Sequence, residues 1–310
     1  IVISHKTQAA VMAPTEILAE QHYQSFLKFC APAGIRIEIL IGNLKKVERE
    51  KIIKDMESGK IQLVVGTHAL IQKGVNFKDL GMIIVDEQHR FGVQQRKDLI
   101  DKGYFPEVLA LTATPIPRTL AFTIHGDMDI STIDELPKHR LPIITKVVEP
   151  NRINQIYDFM KKEMDIGHQC FVIYPIIEES EKMDWKASDT GFKNLSKKVF
   201  ADYKVGYIHG KMKKKTRDEQ MAAMANNEIQ CLVATTVVEV GIDIANATVM
   251  VIENADRFGL TQLHQLRGRI GRGSSQSYCV LVKNSKSPEA EHRLKVMEST
   301  SNGFKISDED

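Results

Sequence analysis

Short apolar runs alternate along the chain with longer stretches whose apolar positions recur at a helical period. In the first half, helices are predicted over residues 15–29 and 47–58. The apolar runs between them predict strands at 9–12, 37–41, 63–65, 82–85 and 108–111. Strands this apolar are buried on both faces, which is typical of a parallel sheet covered by helices.

A second alternating series follows a linker at residues 136–142, where two prolines flank three basic residues. Its strands are predicted at 143–148, 170–174, 205–207, 231–234, 248–252 and 278–282. The polar stretch 178–189 is predicted to be a loop or an insertion. The pattern therefore predicts an α/β protein with two domains, 1–142 and 143–310, each a mostly parallel sheet flanked by helices.

Composition adds few constraints to this picture. A length of 310 residues suits two domains better than one core. The formal net charge of +2 does not by itself indicate a nucleic-acid partner. No apolar run approaches the roughly 20 residues that span a bilayer. The four cysteines are far apart in sequence, so we expect reduced thiols in a cytoplasmic protein without a zinc site.

Threonines follow three of the predicted strands. They lie at Pro14-Thr15, at Gly66-Thr67-His68 and at Thr235-Thr236. In parallel α/β sheets the carboxyl ends of strands bind ligands, and the helices that start there offer free N–H groups to phosphates. A threonine in that place also caps its helix, so capping alone is the alternative explanation for each of them.

The strongest chemical signal is the sequence Asp86-Glu87-Gln88-His89, directly after an apolar strand. Two adjacent carboxylates at a buried strand end are costly unless a cation binds there, and Mg²⁺ with a triphosphate is the natural partner. In this interpretation Asp86 holds the metal through water, Glu87 orients the attacking water, and the two following residues sense the γ-phosphate. The alternative is a solvated acidic turn.

Three further blocks follow later strands. Thr112 and Thr114 flank a small residue and are expected to bridge the acidic block to the partner domain. Residues 262–273 alternate arginines with glycines, and arginine forks suit phosphate oxygens. In the block that begins at Thr235, Asp243 is placed to accept from a ribose hydroxyl.

In this order the blocks resemble the motifs of superfamily 2 helicases and translocases. The matching motifs are Ia (13–16), Ib (66–68), II (86–89), III (112–115), V (235–243) and VI (265–272). The resemblance implies two RecA-like domains that use ATP and Mg²⁺. It also implies that Arg269 and Arg272 are arginine fingers, that Gln265 couples the domains, and that Gly241 and Asp243 contact nucleotide.

Longer stretches narrow the resemblance. Residues 86–93 and 114–120 are similar to both the RecG family and the transcription-repair coupling factors, whereas 126–137 and 251–260 resemble RecG more. The RecG resemblance implies a monomer that binds branched DNA, such as stalled forks and Holliday junctions, and drives it backwards while tracking duplex DNA. No membrane partner is expected.

The sequence lacks a phosphate loop of the form G-x-x-x-x-G-K-S/T. In the family this loop lies just upstream of the helix that leads into motif Ia. We therefore expect a truncated segment of a longer motor, which alone neither hydrolyses ATP nor binds it tightly.

Three alternatives stay open from the sequence. One is a transcription-repair coupling translocase, and a second is a non-catalytic fragment that binds nucleic acid. The third is a metal-dependent hydrolase built on Asp86, His89 and His68, which would leave the arginine-glycine block without a purpose.

Overall fold

The computed structural model describes residues 3–113, 129–133, 135, 137, 140–175, 181–235, 244–285 and 287–309. The chain divides into two compact units, Ile1–Ala113 and Thr114–Asp310. The domain boundary after residue 142 stays a prediction, because much of the segment between 114 and 142 lies outside the described residues.

The described part of the first unit contains a parallel sheet in the order β2-β3-β1-β4-β5. Its strands are β1 (Gln8–Met12), β2 (Ile37–Leu40), β3 (Leu63–Gly66), β4 (Leu80–Val85) and β5 (Glu107–Ala110). Its helices are α1 (Glu16–Cys30), α2 (Lys46–Glu57) and α3 (Val93–Ile100). Apolar side chains from the two faces of the sheet form two separate clusters, one of which includes the inner side of α1.

The described part of the second unit contains a parallel sheet in the order β6-β11-β10-β7-β9-β8. Its strands are β6 (Ile144–Val148), β7 (Gln169–Tyr174), β8 (Val205–Ile208), β9 (Cys231–Thr235), β10 (Ala247–Ile252) and β11 (Tyr278–Val282). Its helices are α4 (Ile153–Asp165), α5 (Glu181–Asn194), α6 (Lys214–Ala225), α7 (Leu260–Arg267), α8 (Pro288–Ser299) and α9 (Gly303–Asp308). The predicted α/β class with two mostly parallel sheets is confirmed.

The two units repeat one arrangement, in which β7–β11 take the places of β1–β5. A buried glutamine begins the central strand of each sheet. The side-chain amide of Gln8 donates to the carbonyls of Met56 (3.0 Å) and Ile61 (2.6 Å). The amide of Gln169 donates to the carbonyls of Met224 and Ile229, both at 2.7 Å. In each unit this glutamine ties the central strand to the end of the helix before the neighbouring strand.

The middle strands are buried along their whole length, as their composition requires. Strands covered on both faces carry mostly apolar side chains. Their backbone N–H and C=O groups form hydrogen bonds with the neighbouring strands. Within the described residues, the structure contains no helix with the length and apolar character needed to cross a membrane.

The prediction of a loop or insertion over residues 178–189 is wrong for its described part, because α5 begins at Glu181. A few buried contacts anchor the helix to the sheet, although most of its residues are polar. Ser188 is fully buried and shares a hydrogen bond of 2.8 Å with the hydroxyl of Tyr207. Phe192 stacks on the same tyrosine ring at a centroid distance of 4.8 Å. The remaining polar residues made the amphipathic pattern too weak to predict the helix.

Replacing the buried glutamine tests this account of the first sheet. In Gln8→Leu, two carbonyls lose their donor, and the amides of Lys78 and Asp79 lose the acceptor that they have at 2.8 and 3.1 Å. We expect the free energy of unfolding, measured by urea denaturation, to fall by about 3 kcal/mol. Gln94→Leu on the exposed side of α3 should change it by less than about 0.5 kcal/mol. Equal effects of the two variants would contradict the anchoring role.

Candidate active site

The carboxyl ends of the first unit's strands meet at one edge of the sheet, which we call the strand-end edge. Backbone hydrogen bonds join the segments that follow the strands. Ala13 donates to Gly66 (2.8 Å), Asp86 donates to Met12 (2.9 Å), and Gln88 donates to Leu111 (3.0 Å). The strand-end edge therefore collects the predicted site residues of this unit, namely Pro14, Thr15, Thr67, His68, Asp86, Glu87, Gln88, His89 and Thr112.

Asp86 is the first residue after β4, and both of its carboxylate oxygens accept hydrogen bonds. Oδ1 accepts from the backbone N–H of Glu87 at 2.9 Å. Oδ2 lies 2.8 Å from Nε2 of His22, which belongs to α1. The sequence analysis missed His22, since 64 positions separate it from its partner and nothing local marks it. The carboxylate is thus held from two directions, by its own turn and by a helix.

Glu87 adopts the left-handed backbone conformation, with φ 49° and ψ 54°. This conformation is uncommon for a residue with a side chain, and it turns the chain sharply at the strand end. The carboxylate accepts from the backbone N–H of Ala113 at 3.4 Å. The acidic turn therefore contacts the segment after β5, where Thr112 is exposed to solvent. Thr114, the second predicted coupling residue, lies outside the described residues.

Gln88 and His89 form a short helical turn after Glu87. Nδ1 of His89 lies 3.7 Å from the carboxylate of Glu87. Burial lowers the pKa of His89, an effect that the Glu87 charge opposes and the Arg90 charge reinforces. A histidine with a lowered pKa is neutral at pH 7, so this ring presents one donor and one acceptor.

The predicted threonines do not behave alike. Thr15 caps α1, because its hydroxyl accepts from the N–H of Leu18 at 3.3 Å. Thr67 follows β3 and Thr235 ends the equivalent strand β9, and the two residues are only 2% and 0% exposed. Within the described residues, neither of these two hydroxyls has a hydrogen-bond partner. Thr236, Gly241 and Asp243 lie outside the described residues.

The arginine block of the second unit begins on α7, which carries Gln265 and ends at Arg267. Arg267 is only 3% exposed. One of its nitrogens, Nη1, donates to the carbonyls of Met297 (2.8 Å) and Thr300 (3.0 Å). Arg267 therefore pins α7 to the end of α8, whereas Arg269 and Arg272 are partly exposed.

The glycines of this block shape the turn that carries the arginines. Gly268 ends α7, and its N–H donates to His264 at 3.0 Å. Gly271 has φ 70°, and a Cβ there would approach the side chain of Ile143 to 2.8 Å. Its carbonyl accepts from Nε of Arg140 at 2.7 Å. Gly271 is thus explained by the fold of the turn, without a ligand, whereas a Cβ at Gly268 would meet only ordinary contacts.

The donor set at the strand-end edge fits a magnesium ion bound with nucleotide. Asp86 and Glu87 are both largely buried, with side chains 19% and 13% exposed. Within the described residues, no group of three or more histidine, cysteine or carboxylate side chains forms a protein cage for a metal. Mg²⁺ in nucleotide sites takes one or two carboxylates and completes its octahedron with water and phosphate oxygens.

The second unit contains a copy of the acidic turn. Residues 252–260 (IENADRFGL) correspond to 85–93 (VDEQHRFGV), and Asn254 has φ 50° where Glu87 has φ 49°. Glu253 takes the place of Asp86, and its carboxylate accepts from the hydroxyl of Tyr157 at 3.2 Å. Burial raises the pKa of Glu253, which the tyrosine hydrogen bond opposes. The backbone of the turn is thus repeated without the second carboxylate.

Comparison with known families defines the class of the protein. Residues 2–122 match the DEAD/DEAH box helicase model, and residues 151–274 match the helicase conserved C-terminal domain. The pair of RecA-like units, with Asp86 and Glu87 at a strand end of the first, is that of a superfamily 2 helicase core.

Individual relatives narrow the class. The chain is 52% identical to the ATP-dependent DNA helicase RecG of Synechocystis sp. over 98% of its length, and 46% identical to those of Thermotoga maritima and Bacillus subtilis. The chain belongs to the RecG family. It spans 36%, 39% and 44% of the length of these three relatives.

Solved structures agree with this assignment. A structure of RecG bound to a three-way DNA junction matches with a TM-score of 0.80 and 43% identity, over 97% of this chain and 39% of that one. Dbp5 of S. cerevisiae, bound to RNA and ADP BeF3, matches with a TM-score of 0.67 and 16% identity, over 94% of this chain and 75% of that one. The second match shows the fold alone.

The buried arginine contact in α7 makes stability depend on pH. Burial, reinforced by the Arg267 charge, lowers the pKa of His264 to about 4, and Nδ1 of its neutral ring lies 3.2 Å from Nη2 of Arg267. A lowered folded-state pKa means that the unfolded chain binds the proton first, so stability falls as the pH drops below about 6.5. We expect His264 to account for a loss of about 2–3 kcal/mol by pH 4.5.

His264→Asn keeps an acceptor near Arg267 but does not titrate. Its free energy of unfolding, measured by urea denaturation from pH 7 to 4.5, should fall less steeply than that of the unchanged chain. Parallel curves for the two proteins would show that His264 does not carry this dependence.

Proposed function

We propose that the chain is the motor segment of a longer RecG-type protein that couples ATP hydrolysis to movement along DNA and remodels branched DNA such as stalled forks and Holliday junctions. The observation that carries the proposal is the acidic turn, where Asp86 and Glu87 are fixed at a buried strand end. The length of the relatives and their common name, ATP-dependent DNA helicase RecG, support it.

Each residue of the acidic turn is proposed to have a separate role in ATP hydrolysis. Asp86 would hold Mg²⁺ through water, and the bound ion would supply positive charge to the phosphates. Glu87 orients the attacking water and accepts its proton, while Gln88 and the neutral His89 hydrogen-bond to the γ-phosphate. The contact of Glu87 with the N–H of Ala113 links this turn to the segment that carries Thr112, and we propose Thr112 and Thr114 as coupling residues.

Arginines and a nucleotide-contacting loop are assigned to the second unit. Arg269 and Arg272 act as fingers that stabilise charge on the transferring phosphoryl group, and Gln265, on α7 just before them, is proposed as a coupling residue. Gly241 and Asp243 are proposed to contact the nucleotide. The firm anchoring of Arg267 supports this assignment, because it fixes the end of the helix from which the fingers extend.

DNA contact is proposed at the strand ends of both units, through Pro14, Thr15, Thr67, His68, Thr235 and Thr236. The equivalent strand-end positions of Thr67 and Thr235, at β3 and β9, support this, because ligands bind at the carboxyl ends of parallel strands. We further propose a monomer that acts in the cytoplasm, where the four free thiols of the chain would remain reduced.

The water-orienting role of Glu87 gives a direct test. In the full-length protein, Glu87→Gln removes the base but little bulk, so ATP should still bind while turnover falls by about 10²–10⁴-fold. DNA-stimulated phosphate release and nucleotide affinity are measured on the same samples. The matched control Glu48→Gln, on the exposed side of α2, should retain turnover. Normal turnover in Glu87→Gln would refute the assignment of the active site.

The finger assignment predicts a different signature. A finger is typically worth about 10³–10⁵ in rate, so Arg269→Ala or Arg272→Ala should slow hydrolysis strongly and weaken ATP binding far less. Lysine should not rescue either position, because it lacks the planar fork. If both alanine variants hydrolyse ATP like the unchanged protein, or fail only through a lower melting temperature, neither residue is a finger.

Two other functions can be separated from this one. A transcription-repair coupling translocase would share the ATPase but would bind RNA polymerase, which a pull-down with purified polymerase detects. A non-catalytic nucleic-acid-binding protein would show no DNA-stimulated ATPase in its full-length form. Residues 1–310 alone are expected to lack robust ATPase, so the assay compares this segment with the full-length protein.

A further inference from the structure

The hydrogen bond between His22 and Asp86 joins two parts of the first unit that serve different ligands in the proposed function. His22 lies on α1, whose N-terminal end carries the proposed DNA contacts Pro14 and Thr15. Asp86 lies at the end of β4 and is the proposed magnesium ligand. The 2.8 Å contact between Nε2 and Oδ2 is therefore a direct connection between the two.

Helix α1 is built to act as a rigid body over the distance involved. Thr15, Ala19 and His22 are spaced by four and three residues, so they lie on one face of the helix, about 10 Å from end to end. Ala19 is fully buried, which allows this face to approach the sheet closely. The first turn is fixed as well, because Glu16 accepts from the N–H of Gly42 (3.1 Å) and the amide of Asn43 (3.0 Å).

The orientation of the Asp86 carboxylate depends on this helix. The contact of Oδ1 with the N–H of Glu87 is local to the turn and leaves the carboxylate free to rock about that bond. The contact of Oδ2 with His22 fixes the second oxygen from outside the turn. A small displacement of α1 therefore changes the direction in which the carboxylate presents its remaining lone pairs.

We propose that His22 is a positioning residue that couples DNA contact at the N-terminal end of α1 to the orientation of the Asp86 carboxylate. The inference rests on the proposed function for the identity of the two ligands. Hydrogen-bond geometry carries the effect. DNA bound at the N-terminal end of α1 favours the position that the helix has here, in which Nε2 of His22 holds Oδ2 in the orientation that would bind Mg²⁺ with nucleotide.

Coupling of this kind is reciprocal, because the affinity of each ligand rises by the same factor when the other binds. DNA should strengthen the binding of magnesium and nucleotide, and nucleotide should strengthen the binding of DNA. Partners that orient metal ligands are typically worth 10–100-fold in metal affinity or activity. Loss of the His22 contact should therefore remove most of the DNA effect.

Two substitutions that differ by one methylene group provide the test in the full-length protein. His22→Gln places an amide nitrogen near the position of Nε2 and keeps the donor, whereas His22→Asn is too short to reach Oδ2. The affinity for a fluorescent, non-hydrolysable ATP analogue is measured against Mg²⁺ concentration, with and without a DNA duplex. DNA-stimulated ATP turnover and melting temperature are measured in parallel.

We expect His22→Asn to raise the half-saturating Mg²⁺ concentration about 10-fold or more and to abolish its response to DNA, with His22→Gln within about threefold of the unchanged protein. His168→Leu is the matched control. Its Nδ1 lies 2.8 Å from Glu163 with similar exposure, and its loss should lower only the melting temperature. DNA binding in the absence of nucleotide should be the same in all variants.

The outcomes separate this inference from the proposed function. If DNA stimulates the unchanged protein and His22→Asn responds to DNA equally well, His22 does not couple the two ligands and the proposal is wrong. It is also wrong if His22→Gln fails as completely as His22→Asn at an unchanged melting temperature. If DNA affects neither nucleotide binding nor turnover in the unchanged protein, the proposed function fails and this inference fails with it.

Discussion

Burial of parallel strands on both faces is the constraint on which the rest of each unit depends. Apart from a few hydrogen-bonded side chains such as Gln8 and Gln169, such strands are apolar in the interior, so the polar groups that do chemistry lie in the segments that follow them. Because the strands are parallel, these segments meet at a single edge. The backbone bonds of Ala13, Asp86 and Gln88 to neighbouring strand ends show how closely this edge is assembled.

The repeated acidic turn shows that one backbone can serve two purposes. Both copies reverse direction through a left-handed residue, Glu87 or Asn254, and both lead through a glycine into a short helix. In the second unit the side chain of Asn254 is bonded to Asn284, so the turn anchors the segment after β11. In the first unit the same position carries a carboxylate that, within the described residues, accepts from a backbone N–H and lies 3.7 Å from a histidine. The two turns share one backbone conformation and differ in their side chains. Of these two turns, only that of the first unit carries a pair of adjacent carboxylates suited to catalysis.

The sequence predicted the strands and the acidic turn because both are local signals, an apolar run and the carboxylates that follow it. Other determinants could not be predicted in this way. The role of His22 depends on a hydrogen bond to a residue 64 positions away. The role of Gln8 depends on hydrogen bonds to carbonyls that lie 48 and 53 positions along the chain. The helix over Glu181–Asn194 was missed because its anchoring contacts involve a serine and one aromatic ring rather than an apolar stripe.

The arginine block illustrates how a fold distinguishes residues that a sequence pattern treats alike. The pattern presents three arginines at similar spacing, but Arg267 is buried and its Nη1 donates to a hydroxyl and two carbonyls. The two carbonyls belong to the end of α8, where a helix carries partial negative charge and favours a cation. Because Arg267 is only 3% exposed, its guanidinium is not accessible to a phosphate group. Its anchoring instead fixes the end of α7, so the partly exposed Arg269 and Arg272 follow a fixed helix end, which is the kind of support that their proposed finger role would need.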